Sequence, residues 1–323
     1  MVSESTAKAP ARHRNALSGI LPGVLRAPSS REALTFYFCV LPWIVGFLAF
    51  TAGPMLFSLV LTFTRWNMLT PLKFVGVQNF SKLLTADRLF WKSLGVTAYY
   101  SFASVPLNLM TGFLLAILLN QGVKGLSVYR TVFYLPSVVS GVAVALLWAW
   151  VFNPQYGVLN GILAAFGIRG PLWIYSEEWV IPSLIMMSLW GVGGSMLVYL
   201  GGLQGIPTEL YEAAEIDGAG RFSRFRHVTV PMMTPVIFFS LVMGIIGSFQ
   251  VFTQAFIMTE GGPNNASLFY VLYLYRNAFQ YFQMGYASAL AWILFVIIMV
   301  LTLAVFRSSS TWVFYQGELR GVR

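Results

Sequence analysis

The chain has 323 residues, of which 57% are hydrophobic, 16% are aromatic and only 10% are charged, with a formal net charge of +9. A mean hydropathy of +0.72 excludes an ordinary water-soluble domain and indicates a protein that resides in a lipid bilayer. We expect no nucleic-acid partner. The one cysteine, Cys39, cannot form an intrachain disulfide.

Six apolar runs have the length of about 20 residues that crosses a hydrocarbon core as a helix. Each run is continuously apolar and lacks the alternation of a barrel strand, so we predict an all-α integral membrane protein with six transmembrane helices. Pro42 and the Gly53-Pro54 pair should tilt or kink the first helix, which should stop before Arg65 and Trp66. The predicted spans are 36–63, 93–119, 129–152, 181–203, 236–258 and 286–306.

The spans divide the chain into a cytoplasmic N-terminal tail (1–35), a transmembrane region (36–306) with a cytoplasmic loop (204–235), and a cytoplasmic C-terminal tail (307–323). The positive-inside rule supports this orientation, because 13 of the 20 basic residues then lie on the cytoplasmic side. Locally the rule is broken, since five of the other seven lie in the first outer loop. These five are Arg65, Lys73, Lys82, Arg88 and Lys92.

The N-terminal tail superficially resembles a secretory signal, because Arg12 and Arg14 precede the moderately apolar stretch 16–25. Gly and Pro residues interrupt that stretch, and no small-residue cleavage pattern follows it. We therefore expect a cytoplasmic tail, with a short helix on the inner membrane surface as the alternative.

The predicted spans lack ionisable side chains well inside the membrane. Proton-coupled porters, pumps and voltage sensors need such groups, so these classes are disfavoured. A membrane enzyme or a metal site is also disfavoured, because the two histidines, His13 and His227, have no cluster of ligands around them. We predict a protein that is not an enzyme and holds no metal.

Uncharged polar residues are scattered through the spans and suit a neutral hydroxylated ligand. Ser248, Gln250 and Gln254, together with Thr253, are predicted to form a polar seam on the fifth helix, because residues four apart share a helix face. Asn108 lies in the second span and Ser195 in the fourth. The alternative is that these groups hydrogen-bond neighbouring helices.

Glycines mark the fourth span, where the sequence GVGG covers residues 191–194. This cluster could loosen the helix beside a cavity. Gly201 and Gly205 form a small-xxx-small pair, which favours close helix packing.

A charge-rich segment, YEAAEIDGAGRFSRFRHVTVP, follows this span at residues 211–231. We predict a helix capped by Thr208 with Glu209, Glu212 and Glu215 in its first turns, where the helix dipole favours acidic groups. Gly218 and Gly220 should allow a sharp turn. A second helical segment should then carry Arg221, Arg224 and Arg226 and end before Pro231.

The segment resembles the EAA loop of ATP-binding-cassette (ABC) importer permeases, through Glu212-Ala213-Ala214 and Asp217-Gly218-Ala219, with Phe225 and the Val230-Pro231 step. KFVGVQNFSKLL (73–84) and the stretch 259–291 are similar to further elements of sugar permeases. The resemblance implies a MetI-like fold of the type I importer class, as in maltose-transporter-type permeases, in the prokaryotic inner membrane.

The resemblance also implies partners: a second homologous permease, an ATPase dimer and an extracytoplasmic solute-binding protein that delivers a sugar. ATP and Mg²⁺ would bind the ATPase, and this chain has no phosphate-binding loop of the P-loop type. The implied ATPase-coupling residues are Glu212, Ala213, Ala214, Asp217 and Gly218, whereas the arginines 221, 224 and 226 could equally be solvated or contact lipid headgroups. The implied substrate-path residues are Ser248, Gln250, Gln254, Trp190 and Ser195.

Two alternatives stay open at the level of sequence. One is a permease of the same fold for glycerol phosphate or a glycerophosphodiester, which the lack of intramembrane Arg and Lys disfavours. The other is an ATP-independent facilitator or porter. We predict that the solute-binding protein docks on the outer segments 64–92, 153–180 and 259–285. Within the second of these, NPQYGVLNGIL (153–163) predicts a turn and a short interfacial helix flanked by Trp150 and Trp173.

Overall fold

The computed structural model describes residues 30–121 and 124–314, and most of both predicted tails lies outside these ranges. The described residues are predominantly helical, as predicted. The exception is a short hairpin in which strand β1 (Thr64–Arg65) pairs antiparallel with β2 (Lys73–Phe74). The described residues form two compact units that divide between Phe57 and Ser58.

The first span is one helix with an irregular turn. Helix α1 (Ser30–Phe47) passes through Pro42 without ending, and a π-helical turn at Leu48–Ala52 joins it to α2 (Gly53–Leu61). The π turn stands directly before Pro54, whose missing N–H removes one hydrogen bond from the helix. The predicted irregularity therefore lies at the Gly53-Pro54 pair.

Four helices are long and apolar enough to cross a membrane, and the count is six if each of two bent helix pairs makes one crossing. The four long helices are Leu34–Leu61, Arg88–Leu119, Arg221–Phe249 and Met284–Trp312. The cores of all six predicted spans fall in these elements, but whether each bent pair crosses completely stays a prediction.

Both bent pairs occur where the sequence predicted uninterrupted or merely loosened spans. Helices α5 (Leu126–Val138) and α6 (Gly141–Val151) meet at 98°. The prediction of a continuous third span was therefore wrong, because Pro136 near the end of α5 and the Ser140-Gly141 pair at the start of α6 were not read as a break. In the fourth span, α8 (Val180–Trp190) and α9 (Gly193–Gln204) meet at 47° within the GVGG cluster, as expected.

Gly193 is required at the second bend for a steric reason. A Cβ atom there would lie 2.2 Å from the carbonyl oxygen of Phe133 in α5. The predicted close packing through Gly201 and Gly205 was wrong within the described chain, since a Cβ on Gly201 would have no neighbour within 4 Å. Gly202, one residue further along, approaches the Met233 side chain of the fifth span instead.

The fifth span differs from its predicted bounds at both ends. A continuous helix runs from Arg221 to Phe249, so Pro231 does not separate the second charged segment from the span. A π-helical turn at Phe225–Thr229 precedes Pro231 and accommodates its missing N–H. The helix ends at Phe249 and not at residue 258, and non-helical residues 250–252 follow.

Helix α4 (Arg88–Leu119) packs against α8, α9 and α12 (Val230–Phe249), and this arrangement positions the candidate site. Asp87 is the N-cap of α4. One of its carboxylate oxygens accepts hydrogen bonds from the N–H groups of Leu89 and Phe90. The other oxygen accepts hydrogen bonds from the hydroxyls of Tyr273 and Tyr286. Asp87 thus joins α4 to α13 (Tyr270–Tyr275) and α14 (Met284–Trp312).

The predicted turn and short helix after the third span are confirmed, since Asn153 Oδ1 accepts backbone hydrogen bonds and α7 follows at Val158–Ala165. Trp173, which flanks this segment, is buried, and its Nε1–H donates to Asn160 Oδ1 at 2.7 Å. The placement of the short helix at the membrane interface stays a prediction. The remaining elements are α3 (Gln78–Thr85), α10 (Thr208–Ile216), α11 (Arg221–Arg224), a 3₁₀ turn at Trp173–Tyr175 and π-helical turns at Ala255–Thr259 and Arg276–Gln280.

Candidate functional site

Helices α4, α9 and α12 enclose a cavity of about 400 Å³ with several hydroxyl groups on an apolar wall. We call it the serine cavity. Its apolar lining includes Val105, Leu109, Phe239 and Met243. Its polar lining consists of Tyr100, Ser104, Asn108, Ser195, Ser240 and Ser248.

Three of these polar side chains are held by hydrogen bonds of their own. Asn108 Nδ2 donates to the Ser104 carbonyl at 2.8 Å and to Ser188 Oγ at 2.9 Å. The hydroxyls of Ser195 and Ser248 donate to backbone carbonyls three residues earlier, at 2.9 and 3.1 Å. Their protons are thus directed to the helix, which leaves the oxygen lone pairs to accept hydrogen bonds from a ligand.

A second cavity, of about 220 Å³, lies against the bend between α8 and α9. We call it the tryptophan cavity, because Trp190 lines it together with Ser188, Gly191 and Gln254. Tyr100 and Val251 line both cavities, so the two adjoin across these residues. The Trp190 indole packs edge-on against Trp148, with ring centroids 6.0 Å apart.

The structure brings four of the five predicted substrate-path residues to these cavities. Ser195 and Ser248 line the serine cavity, and Trp190 and Gln254 line the tryptophan cavity. Gln250 is exposed and lines neither of them. The predicted seam was wrong here, since α12 ends at Phe249 and Gln250 and Gln254 do not share a helix face.

Sequence reasoning did not select Ser104, Ser188 or Ser240 for the substrate path. Serines are common in membrane helices as hydrogen-bonding groups, so none of them stood out. Asn108 was noticed as an isolated amide in an apolar run. That it joins α4 to α8 through Ser188 could be seen only from the packing of these helices.

Neither cavity is lined by Asp, Glu, Lys, Arg or His among the residues that the structure describes. An anionic or cationic cargo would therefore find no compensating charge from this chain. Hydroxyl and amide groups on apolar walls, with an indole at one side, match a neutral ligand that has many hydroxyls and apolar ring faces.

The charged segment after α9 forms a second candidate site, at which α10 ends in a Schellman motif. The Ala219 N–H donates to the Ala214 carbonyl at 2.8 Å, and the Gly218 N–H donates to the Glu215 carbonyl at 3.0 Å. Gly218 has φ +80°, the left-handed conformation that this motif needs and that glycine adopts without strain. The predicted turn at Gly218 is confirmed.

Three details of this segment differ from the predictions. Pro207 is the N-cap of α10 and no side chain caps it, so Thr208 starts the helix without capping it. Gly220 has an ordinary φ of −68°, so the turn does not require glycine there. Arg224 forms an ion pair with Glu215 at 2.6 Å and so fastens α11 to α10.

The predicted coupling residues form the outer surface of this elbow. Glu212, Ala213, Asp217 and Gly218 are exposed, whereas Ala214 is half-buried. On the inner side the Tyr211 hydroxyl lies 3.0 Å from Thr229 Oγ1, which connects α10 to the start of the fifth span. A partner that moves α10 would therefore also displace the fifth span.

Comparisons with known proteins agree with this architecture. The sequence model of a family described as the binding-protein-dependent transport system inner membrane component matches residues 108–313. The probable ABC transporter permease protein YesP of Bacillus subtilis is 45% identical, over 89% of this chain and 94% of its own length. The trehalose/maltose transport system permease protein MalF of Thermococcus litoralis is 34% identical, over 84% of this chain and 92% of its own length.

A solved structure has the same fold. One chain of a bacterial alginate ABC transporter, crystallised with an alginate pentasaccharide-bound periplasmic protein, superposes with a TM-score of 0.76 at 25% identity, and covers 86% of this chain and 95% of its own length. The family match spans more than half of the present chain. The chain therefore belongs to the inner membrane components of binding-protein-dependent transport systems, the permeases of ABC transporters.

Proposed function

We propose that this chain forms half of the pathway by which an ABC importer moves a neutral sugar or oligosaccharide across the inner membrane. The observation that carries the proposal is the pair of adjoining cavities, lined by serines, Asn108, Gln254 and Trp190 and by no Asp, Glu, Lys, Arg or His of the described residues. The Trp190 indole can stack on the apolar face of a sugar ring, and the hydroxyl and amide groups can bind its hydroxyls.

Several relatives support a saccharide as cargo. The name of the relative from Thermococcus litoralis refers to trehalose and maltose, and the lactose permease LacF of Rhizobium radiobacter is 34% identical over 87% of this chain. Glycerol phosphate or a glycerophosphodiester is not favoured, because neither cavity offers an Arg or Lys side chain for the phosphate.

The proposed partners are a second homologous permease, an ATPase dimer that binds ATP and Mg²⁺, and an extracytoplasmic solute-binding protein. The exposed surface of α10, with Glu212, Ala213 and Asp217, would bind the ATPase. Closure of the ATPase dimer would then select the outward-open state of the paired permeases through the contact between Tyr211 and Thr229.

Uptake by proteoliposomes that contain the assembled transporter tests the proposal. Labelled neutral disaccharides, a uronate oligosaccharide and glycerol phosphate are supplied outside with the cognate binding protein, with and without ATP inside. We expect uptake of a neutral saccharide only with ATP. Exclusive uptake of the charged compounds would refute the assigned cargo, and uptake that persists without ATP would indicate a facilitator.

The coupling contact is tested separately by cross-linking. Because Cys39 is the only cysteine, Cys39→Ser provides a background in which Ala213→Cys, on the exposed face of α10, should cross-link to the ATPase. Thr85→Cys, which is exposed at the end of α3, is the control and should not. Equal cross-linking of the two variants would contradict the docking assignment.

A further inference from the structure

A cavity of about 690 Å³ lies beside the first turn of α14 and shares no lining residue with the serine or tryptophan cavity. It contains three basic side chains, and no Asp or Glu is among its lining residues. We call it the basic cavity. Its lining includes Arg65, Trp66, Asn67, Lys73, Gln78, Lys82, Tyr281, Phe282 and Tyr286.

The wall of the basic cavity is a fixed structure and not a loose loop. The N–H of Met284 donates to the Trp66 carbonyl at 3.0 Å. A Cβ atom on Gly285 would lie 1.9 Å from the Thr64 carbonyl oxygen, so the hairpin backbone lies directly against α14. Asn79 Nδ2 donates to the carbonyls of Thr62 and Thr64 at 2.8 and 2.9 Å and holds α3 to the hairpin.

Among the described residues, the three cations have no carboxylate partner. Arg65 and Lys73 stand directly opposite each other in the β1–β2 pair, a position at which like charges are destabilising. Lys82 Nζ lies 4.9 Å from the centre of the Tyr286 ring, and Arg65 donates to Gln78 Oε1 at 3.2 Å. The ion pair between Arg224 and Glu215 lies in a different part of the chain. The cavity is thus suited to an anion.

The position of the basic cavity matches the membrane–water interface. It opens where α14 begins its apolar run at Met284 and just after α2 ends at Leu61. The opposite end of α14 lies on the same side of the protein as α10 and α11. There the Phe314 N–H donates to Thr234 Oγ1 near the start of α12. The basic cavity therefore lies at the end of α14 opposite to α10 and α11, where a helix that spans the bilayer would meet the lipid phosphates.

Exposed apolar side chains accompany the cations on the same hairpin. Leu69 is 88% exposed and Phe74 is 80% exposed. Phe74 follows Lys73 in β2, and consecutive strand residues point to opposite faces, so Phe74 projects from the face opposite to Arg65 and Lys73. This combination is typical of a segment that lies in the lipid interface.

We propose that the basic cavity binds the phosphodiester headgroup of an anionic phospholipid of that leaflet, with Arg65, Lys73 and Lys82 as the ligands. A soluble phosphate would satisfy the same cations but would make no use of Leu69 and Phe74. The site is independent of the transported cargo, so it stands or falls separately from the proposed function.

Lipid retention by the full chain tests the proposal, with phosphatidylglycerol as the probe and phosphatidylcholine as the neutral reference. Native mass spectrometry of detergent-purified protein gives the dissociation constant of the most tightly held phosphatidylglycerol. Each neutralised cation should weaken this binding about fivefold, so the double variant Lys73→Gln/Lys82→Gln should weaken it about 25-fold. Phosphatidylcholine retention should not change.

Arg169→Gln is the matched control, since Arg169 is exposed and does not line the basic cavity. It should bind phosphatidylglycerol like the wild type. An unchanged melting temperature in phosphatidylcholine shows that the double variant is folded, and the single variant Lys73→Gln gives a second measurement if it is not.

Three results would overturn the proposal. The first is a wild-type affinity for phosphatidylglycerol in the double variant. The second is full displacement of the lipid by soluble glycerol phosphate at an equal concentration, which would identify a site for free phosphate. The third is unchanged lipid binding together with lost docking of the solute-binding protein, which would assign the cavity to an acidic protein surface.

Discussion

Replacement of Gly218 by valine should uncouple transport from ATP hydrolysis while the protein remains inserted and assembled. Gly218 is the left-handed residue of the Schellman motif that ends α10, with φ +80°. A Cβ atom there would meet no other atom within 4 Å, so the cost of a side chain lies in the backbone conformation alone.

The magnitude follows from that conformation. An L-residue in the left-handed region costs about 1–2 kcal/mol, and a β-branched residue is a stronger outlier. The exposed ion pair between Glu215 and Arg224 contributes at most about 1 kcal/mol and cannot restore the turn. About 2 kcal/mol would lower the population of the native elbow roughly 30-fold relative to alternatives.

The assay compares ATP-driven sugar uptake with co-purification of the partner subunits in the same preparation. Gly218→Val should lose most uptake, whereas Gly218→Asn should retain much of it, because asparagine tolerates the left-handed region. Gly220→Ala is the neighbouring control and should behave like the wild type, since φ at Gly220 is −68°. Equal uptake by Gly218→Val and Gly220→Ala would refute the reasoning.

Three further predictions concern the helices. Of the two glutamines, only Gln254 lines a described cavity, so Gln254→Leu should lower the initial rate of uptake several-fold while Gln250→Leu leaves it unchanged; equal rates for the two variants would contradict this assignment. Gly193→Ala should destabilise the protein by about 1–3 kcal/mol, since its Cβ would meet a backbone carbonyl of α5, and Gly194→Ala, with open space, should melt like the wild type. Asp87→Ala should lower the melting temperature through the loss of a helix cap and of the acceptor for two tyrosine hydroxyls, at a cost of about 2 kcal/mol or more; an unchanged melting temperature would contradict this role.

The sequence predicted the transmembrane regions well because length and continuous apolarity are local properties. It predicted the turn at Gly218 and the bend at 191–194, where glycine clusters mark the backbone. It missed the 98° bend after Val138, since Pro136 and the Ser140-Gly141 pair lie within an apolar run of spanning length, and that length was taken to indicate one helix.

The contacts of the polar residues, in contrast, did not follow from local sequence. Gln250 and Gln254 were placed on one face by assuming that the helix continues, but α12 ends at Phe249 and the two side chains separate. Ser188 had no distinguishing feature in the sequence, and only the packing of α4 against α8 brings its hydroxyl within 2.9 Å of Asn108. Their role in transport stays a prediction.

The sequence by itself determined that this is a helical membrane protein, because bilayer thickness and backbone hydrogen bonding leave few ways to place such long apolar runs. The resemblance of its charged segment to the EAA loop then indicated a permease. Only the tertiary structure decided which polar groups meet. Asn108 reaches Ser188, Asp87 joins three helices, and Arg65 gathers with Lys73 and Lys82. Such contacts join residues far apart in the chain, and their partners depend on where each helix ends and bends.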